Sequence, residues 1–286
     1  MWYIMSSAQR QYDLSERLIR AISSWNLAGD DIESLLDAGA EINRCHGMLL
    51  PLQTACMVRD EECMQLLVER GAEVNALDGY GRAALHYAAE KEIACVEYLL
   101  HHGAEVDIRD SNMDTALHWA SFKNKSRCVR YLLENGSEVN ALNYNEDTPL
   151  IWACLRGNLE AMKILLEYNA TVDTVNLCGQ TPMMRVAFFH ASGLNTEKND
   201  ACLELLLKAI GQFDLRGEGG QLIEPFSSDN KLCEMLLPYC SSPRTLKQLC
   251  RYAIRTCLGP VFLPDVVCRL PIPYTFQEYL LLQRER

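Results

Sequence analysis

Apolar residues recur in a regular pattern between residues 47 and 180. Pairs of large aliphatic residues stand where predicted helices end, and a Gly or Asn three residues after each pair supplies the left-handed backbone that stops a helix. The pairs are Leu67-Val68, Leu99-Leu100, Leu132-Leu133 and Leu165-Leu166. This pattern predicts short helices separated by tight turns.

A five-residue box follows each of these helices. It reads Gly39-Ala40-Glu41-Ile42-Asn43 at its first occurrence and begins again at Gly71, Gly103, Gly136 and Asn169. Successive boxes are therefore 32 or 33 residues apart. A fixed period of this length predicts stacked structural repeats.

A second recurring element opens the first helix of each unit. It is seen as Pro51-Leu52, Ala84-Leu85, Ala116-Leu117, Pro149-Leu150 and Pro182-Met183. Thr115, Thr148 and Thr181 precede three of these openings. A Thr side chain there caps exposed backbone N–H groups, and a Pro presets the helical φ. Each unit is therefore predicted to be a helix, a turn, a second helix and a hairpin.

These elements resemble the ankyrin repeat, whose Thr-Pro-Leu-His and Gly-Ala-Asp-Val-Asn patterns match the middle units closely. The resemblance implies a degenerate capping unit with an N-terminal helix over residues 1–46 and ankyrin repeats over residues 47–240. The last unit is irregular, and we expect a protruding loop from His190 to Asn199 before a helix from Ala201 to Ile210. A further helix is predicted from about Asp229 to Tyr239.

The C-terminal region carries a different pattern. Apolar residues lie on one face of a predicted helix, at positions 246, 249, 250, 253, 254, 257 and 258. Leu270-Pro271-Ile272-Pro273 follows, and then a helix is predicted from Thr275 to Leu282. Taken alone, the first of these helices would only close the end of the repeat array.

The two motifs together resemble the SOCS box, in which a Leu-x-x-x-Cys element engages elongin C and a Leu-Pro-apolar-Pro element selects cullin-5. The resemblance implies a SOCS box over residues 241–286. Its implied elongin-binding residues are Leu246, Cys250 and Ile254. Its implied cullin-selecting residues are Leu270, Pro271, Ile272 and Pro273. The chain is identified as a member of the ankyrin repeat and SOCS box family, with an all-α fold: an ankyrin-repeat solenoid followed by a three-helix SOCS box.

Four cysteines occupy one register of the second helices, each four residues before a Leu. They are Cys63, Cys95, Cys128 and Cys202. This spacing predicts burial as small hydrophobic residues. Ala161 takes the same place in another unit, which argues against a metal site.

Other candidate chemistry is equally sparse. His86 and His118 fall in the helix-opening turn, where the ankyrin resemblance implies hydrogen bonds between neighbouring repeats. The sequence has no G-x-S-x-G, phosphate-loop, H-E-x-x-H or G-x-G-x-x-G motif. We therefore predict a non-catalytic protein with no cofactor and no metal.

Charge and composition narrow the partners. The chain has 27 Lys and Arg residues against 38 Asp and Glu residues, and an acidic surface does not favour nucleic acid. No signal peptide and no apolar run long enough to span a membrane is recognisable. We expect a cytoplasmic protein, with the nucleus also open, whose 13 cysteines remain thiols.

The resemblance implies a substrate-recognition subunit of a RING E3 ubiquitin ligase. Its partners would be elongin C, elongin B, cullin-5 with its RING subunit, and a protein substrate that the sequence does not identify. The alternative is an ankyrin scaffold or inhibitor protein outside any ligase; copurification with elongins separates the two.

Candidate substrate-binding residues lie at hairpin tips and on the exposed side of the first helices, where the repeat pattern leaves positions free. They are Tyr80, Arg82, Asn112, Asp114, Phe122, Lys123, Tyr144, Asn145 and Asp147. Trp119 and Trp152 directly follow the helix-opening motif and are expected in the core.

Overall fold

The computed structural model describes residues 2–23, 31–191, 197–210 and 245–283. These ranges contain helices joined by turns, and within them the sole strand-like pairing is an isolated bridge between His46 and Leu49. The helices are α1 (Trp2–Ser23), α2 (Ile32–Asp37), α3 (Pro51–Val58), α4 (Glu61–Glu69), α5 (Ala84–Lys91), α6 (Ile93–His101), α7 (Ala116–Phe122), α8 (Ser126–Glu134), α9 (Pro149–Leu155), α10 (Leu159–Glu167), α11 (Pro182–Ala191), α12 (Glu197–Ala209), α13 (Leu246–Leu258), α14 (Leu263–Cys268) and α15 (Tyr274–Leu280). The predicted all-α fold is confirmed.

The chain divides into two compact units. The first comprises residues up to 120 together with 134–137, and the second comprises 121–133 and everything from 138 onward. The second unit holds α9 to α12 and the three C-terminal helices.

The predicted helix signals work as expected. The Thr148 hydroxyl accepts from the backbone N–H of Ile151 at 3.3 Å and so caps α9. After the second helices, Gly71 and Gly103 adopt φ of 94° and 85°, a region open to glycine at no steric cost. Asn169 takes the same role with φ of 59°.

An Asn closes three of the five boxes, as Asn43, Asn75 and Asn140, and its side chain ties one repeat to the next. In the first unit, the Asn75 side chain donates to the Gly103 carbonyl and accepts from the Glu105 N–H, both at 2.9 Å. In the second unit, Asn140 Oδ1 accepts from the Thr171 N–H at 2.9 Å. The box therefore satisfies backbone groups that the turn would otherwise leave without partners.

The four cysteines predicted to pack as small hydrophobic residues are buried, as is Ala161. Burial raises the pKa of Cys63 to about 12 and that of Cys95 to about 11. These thiols are protonated at neutral pH and fill the core as predicted.

The last repeat differs from expectation. The segment predicted as a loop, His190 to Asn199, is helical at both ends, because α11 runs to Ala191 and α12 begins at Glu197. Residues 192–196 between them lie outside the described ranges, as does the helix predicted from Asp229 to Tyr239. The predicted loop was too long, because hydrophobic periodicity does not mark the residue at which a helix ends.

Candidate docking surfaces

Helix α13 begins with a reciprocal cap. The Thr245 hydroxyl accepts from the Gln248 N–H at 3.2 Å, and the Gln248 side chain accepts from the Thr245 N–H at 3.0 Å. This capping box fixes Leu246 as the first helical residue. Leu246 is 78% exposed.

The apolar face of α13 is largely uncovered. Leu249, Ala253 and Cys257 are exposed along it, and Cys250 is half-buried. Ile254 behaves differently, because it packs against the core of the C-terminal module, formed by Leu263, Val267 and Leu280. Of the three predicted elongin-binding residues, Leu246 therefore faces solvent fully, Cys250 in part, and Ile254 packs inward.

The opposite face of α13 carries two buried arginines that sequence reasoning missed. Arg255 donates to the Leu280 carbonyl at 2.9 Å and to the Leu166 carbonyl at 2.8 Å. Burial and the neighbouring Arg251 lower the pKa of Arg255 to about 10, so the guanidinium stays charged at neutral pH. Arg251 lies over the Tyr279 ring, 4.3 Å from its centroid.

Asn169 completes this junction between the last helices and the repeats. Its side-chain amide donates to the carbonyls of Arg255, at 2.6 Å, and Gly259. The Tyr252 hydroxyl donates to Asp173 at 2.6 Å. One signal in the sequence points here: Asn169 replaces the Gly that opens every earlier box.

The predicted cullin-selecting turn has an inner and an outer side. Leu270 and Ile272 are half-buried and pack against the module's core, whereas Pro271 and Pro273 are exposed. The Gln277 side chain donates to the Ile272 carbonyl at 3.2 Å and so holds the turn against α15. The prolines are thus the residues this turn offers to a partner.

The candidate substrate-binding residues of the first unit divide into exposed and structural groups. Tyr80, which is 54% exposed, and Asn112 face solvent. Asp114 is buried, and its carbonyl lies 3.0 Å from Nε2 of His86, which bridges two repeats as predicted. The expectation that Asp114 lies on an exposed surface is wrong, because its side chain is buried and its backbone groups bond within the turn and to His86.

Arg82 in the same unit is engaged by its own neighbours. Its guanidinium lies 3.8 Å from the centroid of the Trp119 ring, and its Nε lies 3.4 Å from Asp110 Oδ2. The prediction that Trp119 lies in the core is also wrong, because the ring is half-buried beneath Arg82. The Arg82 side chain is therefore held by contacts with neighbouring side chains of its own unit.

In the second unit, Tyr144 is 67% exposed, and Asn145 and Lys123 are exposed as well. Phe122 is half-buried. Asp147 is buried, accepts from the Asn176 side chain at 2.7 Å and lies 4.0 Å from Arg185. The expectation that Asp147 lies on an exposed surface is therefore wrong as well.

Trp152 is half-buried and packs edge-on against Phe122, with 5.4 Å between ring centroids. Its prediction as a core residue is therefore wrong. The residue that follows the helix-opening motif is thus half-buried in both repeats. Trp119 packs against the cation of Arg82, and Trp152 packs against the ring of Phe122.

The described residues form neither a metal-binding cluster nor a membrane-spanning helix. No group of three or more His, Cys, Asp or Glu side chains is arranged there to hold a metal ion. Among the helices in those ranges, none combines the length and apolar character needed to cross a bilayer.

Repeated helix pairs followed by a three-helix module define a class, the ankyrin-repeat proteins that carry a SOCS box. Family models agree: those for ankyrin repeats match residues 18–110, 117–216 and 90–132, and that for the SOCS box matches residues 242–281. The chain belongs to the ankyrin repeat and SOCS box family, which is of the adaptor type.

Its similarity to individual members extends over the whole chain. It is 67% identical over 283 residues to Ankyrin repeat and SOCS box protein 8 of Mus musculus, Bos taurus and Homo sapiens. Each alignment covers 99% of this chain and 98% of the relative.

Proposed function

We propose that this protein is the substrate-recognition subunit of an elongin B/C, cullin-5 RING E3 ubiquitin ligase. The observation that carries the proposal is the uncovered apolar face of α13, where Leu246 and Leu249 are exposed while Arg255 anchors the other face. Burying a Leu side chain against a partner contributes about 1.5–3 kcal/mol. A helix held on one side and apolar on the other is suited to docking a partner such as elongin C.

The cullin-5 assignment rests on the turn from Leu270 to Pro273. Pro271 and Pro273 are exposed on a backbone that Gln277 holds in place. A turn whose conformation is fixed before binding loses little entropy on docking. This favours a role as a selectivity element.

The adaptor role needs no reactive group on this chain. Holding a target near a charged ubiquitin carrier raises the effective concentration of its lysines and makes transfer nearly unimolecular. The candidate target contacts that are exposed or half-buried are Tyr80, Arg82 and Asn112 in the first unit, and Phe122, Lys123, Tyr144 and Asn145 in the second.

The test is to charge the exposed face with Leu246→Asp. An unpaired carboxylate cannot enter an apolar pocket without a large desolvation cost, so elongin C should be lost from a coexpression pull-down. The melting temperature should stay unchanged, because Leu246 is exposed in the free protein.

The matched control is Leu177→Asp, the same change at a Leu that is 65% exposed in a repeat hairpin. This variant should retain elongin C. Full recovery of elongin C with Leu246→Asp would contradict the proposal and favour a scaffold protein that acts outside a ligase.

A further inference from the structure

The second unit carries a cluster of cations and aromatic rings where α7 ends. The Asn158 side chain donates to the carbonyls of Ser121 and Phe122, both at 2.8 Å, and so ties the turn after α9 to the end of α7. The Arg156 guanidinium, in the same turn, lies over the Phe122 ring, 5.0 Å from its centroid. Arg156 thus belongs to a turn that two hydrogen bonds of the Asn158 side chain attach to the preceding repeat.

Two further side chains complete what we call the Phe122 cluster: Phe122, Lys123, Trp152 and Arg156. Trp152 packs edge-on against the Phe122 ring at 5.4 Å, and Lys123 Nζ lies 5.6 Å from its centroid. One ring therefore has two cations within 6 Å of it, and such cations bind to its π face.

Arg156 lacks an acidic partner within the described ranges. No carboxylate oxygen of those residues lies within 4.0 Å of its guanidinium, which instead lies over the Phe122 ring. Arg82 in the first unit makes the contrast: it also lies over an aromatic ring, but Asp110 and Glu90 lie 3.4 Å and 3.8 Å from its guanidinium.

An apolar row accompanies these cations. Successive repeats are 33 residues apart here, so Leu155 and Phe188 stand at the positions equivalent to Phe122 in the next two repeats. Phe188 is 57% exposed and Leu155 is half-buried. Exposed or half-buried apolar side chains therefore recur at the Phe122 position in the two following repeats.

We infer that the Phe122 cluster binds a segment of the target protein in which an Asp or Glu side chain adjoins a large apolar side chain. This inference rests on the proposed function and names the class of target. The target's carboxylate pairs with the Arg156 guanidinium through charge-assisted hydrogen bonds, and its apolar side chain packs on the ring of Phe122 and the row beside it. Aromatic and Arg side chains together are typical of binding hot spots.

The chemistry favours a carboxylate over a phosphate. A phosphorylated side chain carries close to two negative charges and three acceptor oxygens, which proteins usually satisfy with an Arg cluster or with free backbone N–H groups. The Phe122 cluster instead combines two cations with two aromatic rings. That combination matches a single negative charge beside an apolar group.

The test uses the full chain and four pools of fluorescein-labelled ten-residue peptides, with fluorescence anisotropy as the measurement. Each pool has a fixed central pair flanked by mixed residues: Glu with Phe, Gln with Phe, Glu with Ala, or phosphoserine with Phe, in both orders. The Glu with Phe pool should bind most tightly, and its affinity should fall as salt rises. Arg156→Glu should weaken that binding roughly tenfold or more, the loss of a charge-assisted pair.

The matched control is Lys163→Glu, the same charge reversal at an exposed lysine that pairs with Glu160 at 2.7 Å. It should leave the affinity within about twofold. Equal binding of all four pools, a preference for the phosphoserine pool, or equal loss with Lys163→Glu would overturn the inference. Elongin C recovery is measured on the unmutated chain and on the same variants. If elongin C binds but the peptide results contradict the inference, only the inference fails. If the unmutated chain does not bind elongin C, the proposed function itself is contradicted.

Discussion

At the scale of single residues, His86 shows how one side chain joins two repeats. Its Nδ1 accepts from the Ala83 N–H at 3.0 Å, and its Nε2 lies 3.0 Å from the Asp114 carbonyl, which can only accept. The ring is therefore satisfied in one neutral tautomer. Burial lowers the pKa of His86 below its ordinary value of 6.5, although the carbonyl of Asp114 opposes this shift.

This lowered pKa predicts an acid-sensitive fold. Below pH 6.5 the unfolded chain takes up a proton at His86 that the folded chain does not bind, so the free energy of unfolding falls with falling pH until the folded pKa is reached. Urea unfolding between pH 7 and pH 5 should show this decline, and His86→Gln should make it shallower. An identical slope in the two proteins would contradict the prediction.

At the scale of elements, different segments of the C-terminal module expose different kinds of residue. Helix α13 presents an apolar face, whereas the turn before α15 presents Pro271 and Pro273. Leu270 and Ile272 in the same turn belong to the module's core. The two surfaces can therefore be altered separately.

The double change Pro271→Ala with Pro273→Ala should weaken cullin-5 binding roughly tenfold while elongin C binding is retained. It frees the backbone of a docking turn, at a cost of about 0.5–1 kcal/mol for each position, and it removes two exposed apolar contacts. Coexpression pull-down with quantification of both partners measures this. Pro260→Ala, at another exposed proline of the module, should leave both partners bound.

Loss of both partners together, or of neither, would contradict the prediction that α13 binds elongin C while the turn from Leu270 to Pro273 binds cullin-5.

At the scale of the whole molecule, the second unit is held together by contacts far apart in sequence. Arg255 joins α13 to carbonyls in α10 and α15, and Asn169 joins the last box to the end of α13. The hydrogen bonds that the Arg255 guanidinium donates are charge-assisted, and such bonds are among the stronger ones in proteins. They set how the C-terminal module is attached to the repeat next to it.

Replacing this guanidinium tests the attachment. Arg255→Met fills a similar volume but leaves the carbonyls of Leu166 and Leu280 without their donor, which should lower the free energy of unfolding by about 2–4 kcal/mol. Urea unfolding of the full chain gives this value. Arg269→Met, at an exposed arginine of the same module, should change it by less than about 0.5 kcal/mol, and equal stability of the two variants would show that the Arg255 contacts contribute little.

The sequence by itself determined the repeat, its helix pairs and the nature of its core. The period of 32 or 33 residues, the Thr148 cap, the glycines at positive φ and the register of Cys63 are local features, and local features depend on neighbours a few residues away. For the same reason the two C-terminal motifs were recognisable from short stretches of sequence.

Only the tertiary structure decided which candidate side chains are free to bind. A helical period shows that Leu246 and Ile254 share an apolar face, but it does not show that the core of the module covers Ile254 and leaves Leu246 exposed. Asp114 and Asp147 occupy variable positions of the repeat and are nevertheless buried. From the sequence alone Arg255 would be taken for a solvated charge. In the structure it donates to the carbonyl of Leu166, 89 residues earlier in the chain. Burial is a property of the neighbours that folding brings together, and sequence spacing fixes which residues share a face without fixing what lies against it.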